Sequence, residues 1–250
     1  MGAENSINIS LVAEKLFSVG GGYNVTNAMM TTWIIMFLLV ALSFLITRKL
    51  TLVPGYLQSI GEIIVEGLWN LFESVMHDKT KIFFPLLSTY FIYIISLNWV
   101  ELLPGVGTIG LEKLEEGHKV FIPMFRPGTA DLNTTLALAL IAVVLIQYYG
   151  LKMLGASYLK KFFNFKNPIM FFVGLLDLLS EFTKIISFSF RLFGNIFAGD
   201  VLLTVIAFLM PLFAPLPFLG LELFVGFIQA VVFSMLTSVF LSVATTKTEH

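Results

Sequence analysis

Long apolar stretches alternate with short polar ones along this chain, and their lengths predict helices. The first stretch runs from about 29 to 47, stops at Arg48-Lys49, and can be capped by Thr26 or Asn27. Residues 55–78 keep a helical period but place Glu62, Glu66 and Glu73 among Ile63, Ile64, Leu68, Leu71, Phe72 and Val75. That pattern is too polar to span a bilayer and predicts a helix lying on its surface. Further spans are predicted over about 83–103, 132–153, 168–210 and 218–244. Asp131, Asn133 and Thr134 open the 132–153 span, and Pro168 starts the next. Ahead of all these, residues 1–28 form an outer N-terminal segment with Ile7, Ile9, Leu11, Val12, Leu16 and Phe17 set among polar positions. They predict a short amphipathic piece at the interface, broken by the glycines at 20–22. Residues 29–250 read as a single membrane domain.

The stretch from 168 to 210 is too long for a simple crossing. At 1.5 Å per residue it would extend about 64 Å, against about 30 Å of hydrocarbon. No proline interrupts it after Pro168, and Gly174, Gly194 and Gly199 stand singly. A steeply tilted continuous helix is therefore preferred to a broken one.

Composition settles the class. The chain is 57% hydrophobic and only 12% charged, with 26 Phe among 250 residues, whereas soluble domains carry about 25% charged residues. The fold class is all-α integral membrane protein, with five crossings plus the surface helix. A net charge of −1 points to no nucleic-acid partner. With no Cys, thiol catalysis, thiolate metal sites and disulfides are excluded. His77, His118 and His250 lie far apart and make no metal site. Glu4 and Glu14 stand where a signal peptide would be basic, so no cleaved signal is expected. No cofactor is predicted.

Loop charge predicts orientation. Arg48, Lys49, Lys79 and Lys81 flank one polar region, and Lys152, Lys160, Lys161 and Lys166 fill another. The loop at 104–130 balances acids against bases, and the turn at 211–217 is uncharged. The positive-inside rule puts the two basic regions in the cytoplasm, the N-terminus outside and the C-terminus inside.

Charges inside the apolar stretches carry the chemistry. An Arg at a bilayer centre costs at least about 2.5 kcal/mol, so Arg191 calls for a water-filled cavity or a charged partner. Asp177, Glu181, Lys184 and Arg191 follow at offsets of four, three and seven and fall along one stripe, which Asn195 continues. Glu181 and Lys184 can neutralise each other, or Glu181 can serve an ion path. Asp200 lies about half a rotation from Arg191, so it is no same-helix counter-ion. On the last helix Glu222 and Gln229 share a face. In a hairpin Asp200 and Glu222 could face each other and share a proton. Ions following either set of polar groups would stop at the arginine. That suits a carboxylate brought past it by another subunit.

Three motifs in order, E-L-L-P-G at 101–105, D-L-N-T-T-L-A-L-A-L at 131–140 and R-L-F-G-N-I-F-A-G-D at 191–200, resemble the subunit a family of F-type ATP synthases. The I-Q-A-V-V-F-S-M-L-T-S-V-F-L-S segment after Glu222 extends the resemblance, which runs from about residue 31 to the end. It implies a stator beside a ring of c subunits, held by the b-subunit peripheral stalk, with two aqueous half-channels offset across the bilayer. Arg191 matches the family's essential arginine. Asn195, Asp200, Glu222, Gln229, Asn98 and Glu101 match outer half-channel positions; Asp177, with Glu181 a turn on, falls toward the inner one. Many relatives carry a His at one of the positions 200 and 222. Both are acidic here, so a His relay does not carry over, and the coupling ion stays open between H⁺ and Na⁺. The resemblance also implies a bacterial inner membrane. No G-x-x-x-x-G-K-[ST] loop occurs in the chain, so nucleotide chemistry is expected elsewhere in the complex. An ion-coupled secondary transporter is the alternative, but the first half holds no second copy of the Arg191 stretch.

Overall fold

The computed structural model describes residues 13–19, 23–48, 50–103, 106, 109–115, 118–162, 168–210 and 213–246. In chain order these form β1 (Lys15–Val19), β2 (Tyr23–Thr26), α1 (Asn27–Thr47), α2 (Tyr56–Met76), α3 (Thr80–Val100), β3 (Gly110–Glu115), β4 (His118–Pro123), α4 (Leu132–Leu154), α5 (Ala156–Phe162), α6 (Pro168–Leu209) and α7 (Pro215–Thr245). Single 3₁₀ turns precede α3 and α4. Five helical stretches are long and apolar enough to cross a membrane: α1, the run from Tyr56 to Val100, α4, α6 and α7.

The five-crossing pattern is therefore present, and α6 is one continuous helix of 42 residues. Several boundaries differ from the sequence reading, α3 starting at Thr80 instead of 83 among them. α3 ends at Val100 instead of 103, because the residue before Pro104 is disfavoured in helical geometry. α7 starts at Pro215 instead of 218; a proline fits the first helical turn, where its missing N–H would have no acceptor anyway. The basic loop at 152–167 contains a short helix, α5. Gly155, at φ +58°, turns the chain from α4 into it. His250, the Gly20–Gly22 break and Lys166 lie outside the described residues.

Two β-hairpins also appear. β1 and β2 pair antiparallel with a bulge between Lys15 and Phe17. β3 and β4 pair in unbroken register from Gly110↔Pro123 to Glu115↔His118. Residues 15–19 and 23–26 are thus strands, where the sequence predicts an amphipathic piece over residues 1–25. Phe17, Val19, Tyr23, Val25 and Thr26 are β-favouring, and the glycines between the strands disfavour a helix.

The chain divides into two compact units. One comprises the described residues up to Val40 with Tyr93–Thr135 and Arg191–Gln229. In it, fully buried Asn27 is a junction. Its N–H donates to Glu14 O (3.1 Å), its Oδ1 accepts from the N–H groups of Glu14 (3.2 Å) and Ala28 (2.9 Å), and its Nδ2 donates to Pro123 O (3.1 Å). Asn27 thereby ties the entry to β1, the start of α1 and the end of β4. Thr26 does the capping, its Oγ1 accepting from Met29 N–H at 3.3 Å. α3 and α7 meet through glycine: Asn98 Nδ2 donates to Gly226 O (2.9 Å) and Trp99 Nε1 to Leu223 O (3.1 Å). A Cβ on Gly226 would sit 3.1 Å from Asn98 Cβ. Asp131 starts α4 by accepting from Asn133 N–H (3.4 Å) and Thr134 Oγ1 (3.3 Å).

The other unit comprises Ala41–Ile92, Leu136–Phe190 and the described residues from Ala230 on. Leu68, Phe72 and Met76 form the buried stripe of α2, while Glu62, Glu66 and Glu73 are exposed. Aromatic rings fill the core: Trp69 lies 5.1 Å from Phe84, Phe83 meets Tyr149 edge-on at 4.9 Å, and Phe233 lies 5.4 Å from Tyr90 and 5.0 Å from Phe188. On α7, the buried hydroxyls of Ser234, Thr237 and Thr245 donate to carbonyls one turn earlier. They are satisfied within their own helix, which makes this a small-residue packing face. Lys79 Nζ reaches Thr245 Oγ1 (3.1 Å) and Thr246 Oγ1 (2.9 Å) at the C-terminal end of α7, where a cation suits the helix dipole.

Candidate ion path

In the first unit three carboxyl groups from three helical regions come together. Glu101 stands just past the last residue of α3, Asp200 lies on α6 and Glu222 on α7. Glu101 and Asp200 hydrogen-bond to each other, and Asp200 and Glu222 interact electrostatically. Two carboxyl groups can hydrogen-bond only if one holds a proton. Burial, then the charges of Asp200 and Glu222, hold the Glu101 carboxyl well above the usual carboxylate range, with Arg126 opposing.

Glu222 is 5% exposed, and neither of its oxygens has a hydrogen bond among the described residues. Its carboxyl lies against Gly199: a Cβ there would overlap Glu222 Oε1 and come within 2.8 Å of Cδ. The residue facing Glu222 most closely from α6 is thus the glycine beside Asp200, and the hydrogen bond of Asp200 goes to Glu101. Gln229, two turns after Glu222, is also buried, and Asn98 keeps a buried Oδ1 without a hydrogen bond among the described residues.

Arg126 was counted in the sequence only as one charge of a balanced loop, yet it is buried and interacts with Glu101 and Asp200. Its backbone N–H donates to Thr31 Oγ1 (3.2 Å), and its Nη2 donates to Ala130 O (3.4 Å). Gly128, two residues on, packs so closely on Thr32 that a Cβ would overlap the hydroxyl. These contacts hold the loop in place. The one available signal was its position five residues ahead of the α4 cap at Asp131.

Arg191 and Asn195 lie one turn apart, both exposed, while Leu192, Phe193 and Ile196 between and beyond them are buried. The arginine is therefore presented on the outer face of α6.

In the second unit Asp177 is half-buried and Glu181 is bonded through both oxygens. Oε1 takes Lys184 Nζ at 2.7 Å and Oε2 takes Gln147 Nε2 at 2.7 Å. Gln147 Oε1 accepts from Tyr158 Oη at 2.7 Å. Burial, then the charge of Glu181, pushes the Tyr158 phenol up to about 12, so it stays a donor at neutral pH. The sequence reading of Glu181 contained the lysine but neither Gln147 nor Tyr158, which lie 34 and 23 residues earlier. Among the described residues no group of three or more His, Asp or Glu side chains is arranged to hold a metal ion.

The family model described as ATP synthase A chain matches residues 29–242. The chain is 34% identical over 223 residues to ATP synthase subunit a of Moorella thermoacetica, covering 89% of this chain and 92% of that protein. It is 38% identical to the subunit a of Gloeobacter violaceus over 213 residues, covering 85% and 80%. For that of Citrifermentans bemidjiense the figures are 33% over 236 residues and 93% of each chain. Glu101, Asp200, Glu222 and Arg191 all fall inside the matched residues, and on this evidence the chain belongs to the ATP synthase A chain family.

Proposed function

We propose that this chain is the stator of a rotary membrane sector, carrying H⁺ through two offset half-channels to and from the carboxylates of a c-subunit ring. The outer half-channel runs past Asn98, Glu101, Glu222, Gln229, Asp200 and Asn195; Asp177 and Glu181 face the inner one. Arg191 attracts the emptied ring carboxylate and separates the two paths. A ring carboxylate neutralised by its ion can turn through lipid, whereas a bare one would be held at the arginine. Each charge crossing yields about 2.3 kcal/mol per 100 mV, so several crossings drive one ATP. Nucleotide chemistry belongs to other subunits, and a peripheral b-subunit stalk holds the chain against rotation.

The observation that carries this reading is the exposure of Arg191 within a helix long and apolar enough to cross a membrane. An exposed cation in such a helix is open to a carboxylate presented by a neighbouring subunit. The nearness of the Glu101 and Asp200 carboxyl groups, which a single proton could join, supports H⁺ over Na⁺. Basic residues at 48–81 and 152–167 favour a cytoplasmic C-terminus in a bacterial inner membrane.

The test is ion-driven ATP synthesis in vesicles carrying Arg191→Ala. Synthesis should be lost. Retained coupling without a passive leak would overturn the reading. Comparing synthesis driven by a Na⁺ gradient with that driven by a pH gradient identifies the ion.

A further inference from the structure

Glu181 was open to two readings, and the second unit contains a hydrogen-bonded chain that bears on both. Tyr158 belongs to α5, a short helix with few ways to hold its position. Its ring packs against Gly150 of α4, where a Cβ would come within 2.7 Å of ring atoms Cε2 and Cζ. That seat points the phenol at Gln147, three residues earlier on α4. The amide of Gln147 has only one sensible orientation. An ionised Glu181 can only accept, so the NH₂ faces it, and the amide oxygen is left for the phenol. Both oxygens of Glu181 are then occupied at 2.7 Å, one by the amide and one by Lys184. Lys184 Nζ also lies 4.3 Å from the centroid of the Phe240 ring on α7, a cation–π contact that adds to the hold on the ammonium. A carboxylate committed this way exchanges ions poorly, because each exchange breaks a charge-assisted bond.

We propose that Tyr158 is a positioning residue for the inner ion path: acting through Gln147, it locks Glu181 to Lys184 as a neutral pair. The path then meets neither a carboxylate that would trap a passing cation nor an ammonium that would repel it. This rests on the inner-path reading above and assigns Glu181 the part of a fixed wall charge instead of a carrier.

The test is ATP-driven proton uptake in membrane vesicles holding the whole complex, normalised to assembled complex. Glu181→Gln should lower uptake about tenfold, because the Lys184 ammonium loses its counter-charge. Adding Lys184→Gln to it should recover most of that loss, since neither charge then remains. Tyr158→Phe alone should lower uptake about threefold, and it should change nothing in the Glu181→Gln/Lys184→Gln background, as expected of a residue acting only through the pair. A double variant as inactive as Glu181→Gln would make Glu181 a carrier and overturn the proposal; so would unchanged uptake in Tyr158→Phe. If the double variant does not assemble, Gln147→Leu decides: a loss matching that of Tyr158→Phe supports the chain, and unchanged uptake overturns it. Arg191→Ala is run in parallel. Coupling retained there without leak removes the ion-path reading itself. Coupling lost there, with the double variant inactive, removes only the role of Tyr158.

Discussion

The carboxyl of Glu222 on α7 occupies the space that a side chain at Gly199 on α6 would fill. The two helices approach closely at the point where a buried carboxyl has no hydrogen bond among the described residues. A glycine is needed there for space and not for backbone freedom.

Gly199→Ala should therefore displace Glu222. Overpacking of this kind costs about 1–3 kcal/mol. Thermal unfolding of the purified protein should report the loss, and proton uptake should fall with it. Shortening the opposing side chain in Gly199→Ala/Glu222→Ala should restore stability. If the double variant is no more stable than Gly199→Ala, the two side positions do not compete for one space.

Glu101 predicts a pH dependence. Its carboxyl is raised well above 4.5 in the folded protein, chiefly by burial. Between the unfolded and folded values the native state holds a proton that the unfolded chain has released. Stability contributed by this group is thus complete at acid pH and falls as pH rises through that window, at up to about 1.4 kcal/mol per pH unit. Glu101→Gln keeps a donor toward Asp200 and has no proton to lose. Its melting temperature should change less than that of the parent between pH 5 and pH 9, with the advantage appearing only on the alkaline side.

Asn27→Ala removes the junction between Glu14, α1 and β4. Leaving buried backbone groups without partners should cost about 2–4 kcal/mol. Amide exchange of Glu14 should accelerate, because its N–H donates to the Asn27 side chain. Exchange in the middle of α4, far along the chain from this junction, should stay as it was.

His77 ends α2 at φ 48° and ψ −123° while its N–H donates to Glu73 O. A side chain is strained in that conformation and glycine is not. His77→Gly should raise stability by about 1 kcal/mol, read as a higher melting temperature. A lower one would mean that the imidazole contributes more than the strain costs.

How much of this was legible in the chain differs from element to element. The spans were readable because a helix must satisfy its own backbone in lipid, so each apolar run declares itself locally. The start of α4 at Asp131 and the unbroken course of α6 were readable for the same reason: caps and prolines act within a turn or two. The residues proposed for the ion path stood out because charge inside an apolar run is costly wherever it points.

Other features depend on which distant residues meet. Pairing along the chain says nothing of Asn98 and Gly226, 128 positions apart, or of Asn27 and Pro123, 96 apart. The hairpins escaped notice because a two-stranded ribbon is marginal alone and gains its hold from contacts such as those of Asn27. Arg126 looked like a loop charge until burial brought it to Glu101 and Asp200. Glu181 looked like half of a simple pair until α5 folded back onto Gly150 and completed its bonds through Gln147. By itself the sequence determined the membrane class, the crossings and the costly charges, since hydropathy and helix period act within one segment. Only the tertiary structure decided which carboxyls come together, which are bonded through both oxygens and which cations they meet, since those depend on distances between segments that no local pattern encodes.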